Sequence, residues 1–346
     1  MQKYNKKIQL CFDDILLVPQ YTDVKSRKDV DLTMPIGGNS WLSLPVIASP
    51  MDTVCESEMA ISLAKAGGVG IIHRFMSDRQ QLINVLRAST NNFEGGNLAV
   101  GVALGINFTK EHVESLILCG ATLLLIDTAN GHSRQAINAT KRLKDIAGDR
   151  VHIMSGNVST AEGYVELAYA GADSVRVGIG GGSACTTRLV SGHGIPTLSS
   201  VIMAAEAKQE LQLQTGIIAD GGIRTTGDMV KSFAAGADAV MLGSMLAGTE
   251  ESPGSVMINE FGKYKTYRGM ASAEANEGKN IAVAEGVSTT VAYKGPVAGI
   301  LTDIRGGLGS GCSYSGTEFL HNLYEYAMYI EVSSNSLQES KPHAKN

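Results

Sequence analysis

Apolar residues along this chain fall into two alternating rhythms. Short runs at 44–52, 69–73, 98–104, 122–127, 151–155, 174–179, 216–220 and 239–242 are almost unbroken β-branched or aliphatic residues, the pattern of parallel strands buried on both faces. Between them apolar residues recur at helical spacing. In 56–66, Met59, Ala60, Leu63 and Ala64 share one face, and Gly67 and Gly68 end the helix. The endings repeat: Ala66-Gly-Gly-Val69, Cys119-Gly-Ala-Thr122, Ala170-Gly-Ala-Asp173 and Ala235-Gly-Ala-Asp238 each close a helix and launch a strand, with glycine in the left-handed capping position. Eight strands alternating with helices predict one (β/α)8 TIM barrel over residues 1–346. A doubly wound sheet is the alternative, weakened because no GxGxxG follows the first strand. Residues 11–19 read as a short strand and turn before the barrel, and 333–346 as a polar tail ordered only by a neighbour.

Barrel enzymes place their chemistry at the C-terminal ends of the strands. Those ends carry Ser49 and Asp52, His73, Asp127-Thr-Ala-Asn130, Asn157, the glycine-rich stretch 177–188, Asp220-Gly-Gly222, and Gly243-Ser244. The turns after strands seven and eight, with Gly222, Gly243 and Ser244, read as the usual barrel phosphate grip, to which Ser183 would add a hydroxyl; the alternative is that Gly221, Gly222 and Gly243 only permit tight turns. Asp220 would repel phosphate but suits two sugar hydroxyls. Asp127 either does the same for a second sugar or caps the helix near His132. Within 177–188 the glycines allow close backbone approach to a ligand and deliver Cys185, either a nucleophile or a buried structural thiol. His73 and His132 read as structural, and Met51 and Met270 as packing residues.

Composition narrows the function class. The net charge is −5 with no basic block, so there is no footprint for nucleic acid. No apolar run reaches the about 18 residues that span a bilayer. The first ten residues carry lysines without an apolar core, so no secretion signal is expected. The five cysteines are scattered and never paired as CxxC, which points to a reducing, cytoplasmic setting and away from zinc.

Seven stretches together resemble the IMP dehydrogenase/GMP reductase family along nearly the whole chain: Phe12-Asp-Asp-Ile-Leu-Leu-Val-Pro19, Ser49-Pro-Met-Asp-Thr-Val54, Gly156-Asn-Val158, Gly182-Ser-Ala-Cys-Thr-Thr-Arg188, Ala219-Asp-Gly-Gly-Ile223, Tyr267-Arg-Gly-Met270 and Tyr293-Lys-Gly-Pro296. The resemblance implies that Cys185 attacks C2 of a purine nucleotide and that hydride moves between C2 and a nicotinamide. It implies Thr187 and Glu285 as the proton-handling pair. Ser183, Gly222, Gly243, Ser244 and Tyr267 would hold phosphate, Asp220 the ribose, and Ser49, Met51, Gly269, Met270, Ala271 and Gly286 would complete the nucleotide site. Asp127, Thr128 and Ala129 would face the cofactor. A potassium site would use carbonyls of Gly180, Gly182 and Cys185 with those of Glu339, Ser340 and Lys341 from another subunit of a homotetramer.

Two reactions share these residues. Oxidation of IMP by NAD requires an activated water, supplied in the family's dehydrogenases by an Arg-Tyr dyad on a mobile flap. The flap region here, 269–285, contains neither arginine nor tyrosine, and the stretch 85–98 leaves no room for the regulatory domains those enzymes usually carry. The expectation is therefore reduction of GMP by NADPH, with the dehydrogenase as the alternative. Dehydrogenase-like features are Ser49-Pro-Met-Asp-Thr-Val54, Val283-Ala-Glu-Gly-Val287 and the tail Gln338-Glu-Ser-Lys-Pro-His343. A nucleotide sensor without turnover is disfavoured, since binding alone needs no thiol.

Overall fold

Parallel strands buried on both faces can avoid exposed edges by closing on themselves, and these do. In the computed structural model, which describes residues 8–90, 99–260, 262–276 and 283–341, the strands are β1 (Val46–Ala48), β2 (Val69–Ile72), β3 (Val100–Leu104), β4 (Leu123–Asp127), β5 (His152–Val158), β6 (Ser174–Val177), β7 (Gly216–Asp220) and β8 (Ala239–Leu242). They form one closed parallel barrel in chain order, with β8 returning to β1 through Val240 opposite Val46. The helices around it are α1 (Ser57–Lys65), α2 (Asp78–Ser89), α3 (Lys110–Leu118), α4 (Arg134–Ala147), α5 (Ala161–Tyr169), α6 (Thr197–Glu210), α7 (Thr226–Ala234) and α8 (Val297–Tyr314).

Each strand sends alternate side chains to two dry compartments. Ile47, Val69, Ile71, Leu123, Leu125, Ile218 and Met241 fill the barrel, whose N-terminal end is plugged by Ile36 and Leu42 of the hairpin Met34–Pro35/Trp41–Leu42. Val46, Leu124, Ile126, Ile217 and Val240 face outward and pack with Leu63, Leu143 and Phe233 of the helices. Burying each such side chain stabilises the fold by about 1.5–3 kcal/mol. The repeated helix endings behave as the spacing implies, since Gly67, Gly120, Gly171 and Gly236 all have φ between +90° and +99°. In two of them the following aspartate pins the preceding strand: Asp173 accepts from the Ile153 N–H at 2.8 Å, and Asp238 from the Ile217 N–H at 2.7 Å.

Several boundaries differ from expectation for local reasons. The first barrel strand is cut to Val46–Ala48 by flanking Pro45 and Pro50, which have no N–H for a ladder. β6 stops at Val177 because Gly178 turns at φ +142°. β5 runs on to Val158 through a register shift around Asn157. The 11–19 segment is a turn followed by Ile15–Leu17, which pairs antiparallel with Tyr329–Glu331 near the far end of the chain. Residue 98 of the third predicted strand, 277–282 of the flap region and 342–346 of the tail lie outside the described residues. The rest of the tail includes one short helical turn, Ser336–Glu339.

An antiparallel sheet that the apolar pattern did not predict stands at the barrel mouth. Its strands are β9 (Met257–Asn259), β10 (Gly262–Arg268) and β11 (Ser288–Ala292), and the flap region joins β10 to β11. We call this unit the strap. Among the described residues no helix is long and apolar enough to cross a membrane.

One buried base reports on the fold. His152 is enclosed at the start of β5, 2.7 Å from the Ser174 hydroxyl, and burial pushes its pKa down to about 4. The unfolded chain takes up a proton below about 6.5 that the folded state refuses, so this contribution is complete above pH 6.5 and lost as pH falls toward 4. Urea titrations should show stability falling by up to about 3 kcal/mol across that window. His152→Gln, which cannot titrate, should flatten the slope; an unchanged slope would contradict the assignment.

Candidate active site

The loop that carries Cys185 leaves β6 at Gly178, where a Cβ would lie 1.9 Å from the Asp220 carbonyl oxygen. Only glycine lets the loop cross the end of β7 so closely. The chain passes Gly180–Gly182, turns with the Cys185 N–H donating to the Gly182 carbonyl at 3.0 Å, and enters a single helical turn, Thr187–Val190. On its other side it pairs with the strap: the Thr186 N–H donates to the Glu285 carbonyl and the Val287 N–H to the Ala184 carbonyl, both at 3.0 Å. Cys185 thus sits opposite Gly286 in an antiparallel bridge. A Cβ on Gly269 would fall 2.8 Å from the Ala184 carbonyl, so glycine also lets the strap seat here.

This pairing aligns three side chains from two distant segments. The Cys185 thiol donates to the Thr187 hydroxyl at 3.2 Å, and that hydroxyl donates to Glu285 Oε2 at 2.8 Å. The file gives a proton a path between the sulfur and a carboxylate. Beside it, Ser183 and Tyr267 hydroxyls are 3.0 Å apart. A Cβ on Gly243 would be 3.3 Å from the Tyr267 hydroxyl and 3.1 Å from the Met51 sulfur, so the phosphate-grip candidates converge. Burial, aided by nearby Asp220, pushes the Tyr267 pKa up despite its Ser183 partner, keeping the phenol available as a donor. Lys294, part of the family-like stretch Tyr293-Lys-Gly-Pro296 but given no role from sequence, donates to the carbonyls of Ser244 and Met245 at 2.7 and 3.1 Å and holds the turn after β8.

At the base of the cleft the inward positions after Leu125 and Ile218 are Asp127 and Asp220. Asp220 Oδ2 accepts from Asn157 at 2.7 Å and from Arg176 at 2.8 Å. Asp127 accepts from Arg176 at 2.8 Å and from Arg74 at 3.1 Å. Sequence reasoning missed both arginines. For Arg176 the available signal was a charge at an inward position of an otherwise apolar strand. Asp127 does not cap the following helix, the other reading offered for it: Ser133 accepts from the Ala136 N–H, and Asn130 from the His132 N–H. His73 is buried against Glu56 at 3.1 Å and His132 faces Glu166 at 3.4 Å, consistent with structural roles.

These groups line one cavity of about 600 Å³. Every sequence-derived nucleotide and cofactor residue borders it except Gly286, whose role is the backbone bridge behind Cys185. A second hollow of about 510 Å³ shares Arg74, Asp127, Thr128 and Ala129 with the first and continues toward Gln81 and His112. The two hollows are therefore continuous through Arg74, Asp127, Thr128 and Ala129. Gly180, Gly182 and Cys185 also border the main cavity. Among the described residues no hydrogen bond ties Glu339, Ser340 or Lys341 to them, so a cation site of that composition would need the tail of another copy. Nor do His, Cys, Asp and Glu side chains form a metal-binding cluster among the described residues.

Comparison with known proteins places this geometry. Residues 9–343 match the family described as IMP dehydrogenase / GMP reductase domain. The chain is 36% identical to the inosine-5'-monophosphate dehydrogenase of Borreliella burgdorferi over 97% of both sequences. It is 32% identical to the GMP reductase of Leishmania major over 96% of both. Among solved structures it is similar to a cysteine-to-alanine variant of GMP reductase from Trypanosoma brucei in complex with guanosine 5'-monophosphate, with a TM-score of 0.91 and 30% identity over 98% of each chain.

The strap's seat has its own test. Arg268 donates through Nε to Asp52 at 2.9 Å, with Nη2 closer still, and its N–H reaches the Thr53 hydroxyl at 3.2 Å. Arg268→Gln should leave the largely buried Asp52 without its cation. The expected loss is roughly 2 kcal/mol, below the range for a fully buried pair because Arg268 is partly exposed. Limited proteolysis should cut faster between residues 269 and 285, while the barrel resists as before. Unchanged cleavage would mean that the pair does not anchor the strap.

Proposed function

The chain belongs to the IMP dehydrogenase / GMP reductase family, oxidoreductases that act on purine nucleotides with NAD(P)(H), and within it we propose that this protein is a GMP reductase using NADPH. The observation that carries the reading is the hydrogen-bonded file Cys185–Thr187–Glu285. Reductive deamination needs a thiol to hold C2 of the purine and an acid to protonate the departing amine, because ammonia leaves well only when protonated. The file provides both in one line. Hydrolysis of the same thiol adduct would need a base directed at water, and the strap has neither arginine nor tyrosine between Gly269 and Glu285 to act as the dehydrogenase dyad.

Each step can be assigned to a group of this chain. The GMP phosphate is gripped by backbone N–H groups around Gly222, Gly243 and Ser244 with the Ser183 and Tyr267 hydroxyls, and the ribose by Asp220. Cys185 passes its proton through Thr187 toward Glu285 and bonds to C2. The proton returns along the same file to the 2-amino group, which leaves as ammonia. Asp127, Thr128 and Ala129 would hold NADPH, whose chemistry when bound would be to give C2 a hydride. The C2–sulfur bond then breaks, releasing IMP and a thiolate that takes up a proton from solvent by way of Glu285 and Thr187. The seat of the strap on the nucleophile loop keeps the thiol adduct away from water.

A dehydrogenase reading has support in the Ser49-Pro-Met-Asp52 motif and in the 36% identity to an enzyme of that name. Absorbance of the reduced nicotinamide decides between them. NADPH should be consumed with GMP, and no NADH should form from IMP and NAD; the reverse result would replace the reductase with the dehydrogenase. Cys185→Ala should abolish turnover while GMP binding stays within a few-fold of wild type. Thr187→Val and Glu285→Gln should each lower kcat by about 10²–10⁴-fold, the usual contribution of positioned acid–base groups. Turnover by Cys185→Ala at an appreciable fraction of wild type would refute covalent catalysis.

A further inference from the structure

Arg176 stands inside the barrel on β6, its side chain 7% exposed, between two carboxylates that serve different ligands in the proposed reaction. Its Nη1 lies 2.8 Å from Asp127 Oδ1 on β4 and its Nη2 lies 2.8 Å from Asp220 Oδ2 on β7. Room for it is built into the backbone: a Cβ on Gly156 of β5 would lie 2.6 Å from the Arg176 Cβ. Its Nε is buried and has no hydrogen-bond partner among the described residues. The guanidinium is therefore held by its two arms alone. Burial by itself would lower its pKa, but Asp220 and Asp127 outweigh that and raise it, so the group stays charged.

Building on the proposed reading, in which Asp220 receives the nucleotide ribose and Asp127 faces the dinucleotide, we propose that Arg176 is a positioning residue that couples the two sites. One rigid planar group fixes one oxygen of each carboxylate, so the two cannot reorient independently. Asn157 adds a second tie at Asp220 and Arg74 a second tie at Asp127, leaving Arg176 as the side chain, among the described residues, that contacts both. The ligand that binds first bears the entropy of fixing this fork, and the second binds to a frame already ordered, which gives positive cooperativity without a large movement. The coupling must be equal in both directions. Lysine cannot replace it: a point charge on a flexible stem cannot span two carboxylates as a planar fork does.

The test uses ligand pairs that cannot react, GMP with NADP⁺ and IMP with NADH, and measures nucleotide Kd by calorimetry with and without saturating dinucleotide. Wild-type protein should bind the nucleotide about tenfold more tightly when the dinucleotide is present, within the usual range of allosteric couplings. In Arg176→Lys and in Asp127→Asn the tightening should fall below about twofold, while Arg74→Gln, which leaves the fork intact, should keep it. Thermal melts without ligand separate this from a loss of fold, and if Arg176→Lys does not fold, Asp127→Asn decides the matter. No coupling in the wild type, or full coupling in either folded fork variant, would overturn the proposal. If only IMP and NADH bind, the reductase reading is the one that fails, and the role of Arg176 is then read from that pair.

Discussion

Everything at the mouth of this barrel follows from one constraint: a parallel strand closed into a barrel has no face turned to water. Along β4 and β7 the inward positions are apolar until the last, where Asp127 and Asp220 appear. A carboxylate lower in the barrel would be desolvated without a partner. At the rim it borders the open cavity, and Arg176 and Asn157 satisfy the oxygens that face inward. The layered interior beneath, plugged by Ile36 and Leu42, is what makes that rim rigid enough to hold distances near 2.8 Å.

The cysteine of the proposed reaction is organised differently. Cys185 does not sit on a strand of the barrel; its loop is held between the end of β7 and the strap, almost wholly by backbone. Glycines at 178 and 269 remove the side chains that would keep these segments apart. Such seating requires both partners to be present, so the loop is ordered when the strap lies on it. The same contact that seats Cys185 also brings in Glu285, so one backbone pairing sets the positions of both side chains.

Charge is arranged with the same economy of partners. Arg176 serves two carboxylates, Arg268 ties the strap to Asp52, and Lys294 holds the carbonyls of the turn after β8. Asp127, Asp220 and Ser244 border the main cavity, and Asp52 directly follows Met51 of its wall. Removing any of these cations would disturb the site through position rather than through a lost contact with substrate.

Much of this was legible in the residues themselves. The unbroken apolar runs of the strands and the repeated glycine endings of the helices specify a barrel, because burial on both faces and a left-handed helix cap are local demands written in local residues. The polar residues and glycines at strand ends, Ser49, Asp127, Asp220 and Gly243 among them, identify the rim for the same reason. What the chain in one dimension does not contain is the meeting of segments far apart. Ile15–Leu17 finds its partner at Tyr329–Glu331, Glu285 reaches Thr187 across 98 positions, and Arg176 is shared by Asp127 and Asp220. Such contacts depend on barrel closure and on how the strap folds back, and no local periodicity records either. Tertiary structure alone decided which cation serves which carboxylate, and so how the thiol, the acid and the two ligand shelves stand toward one another.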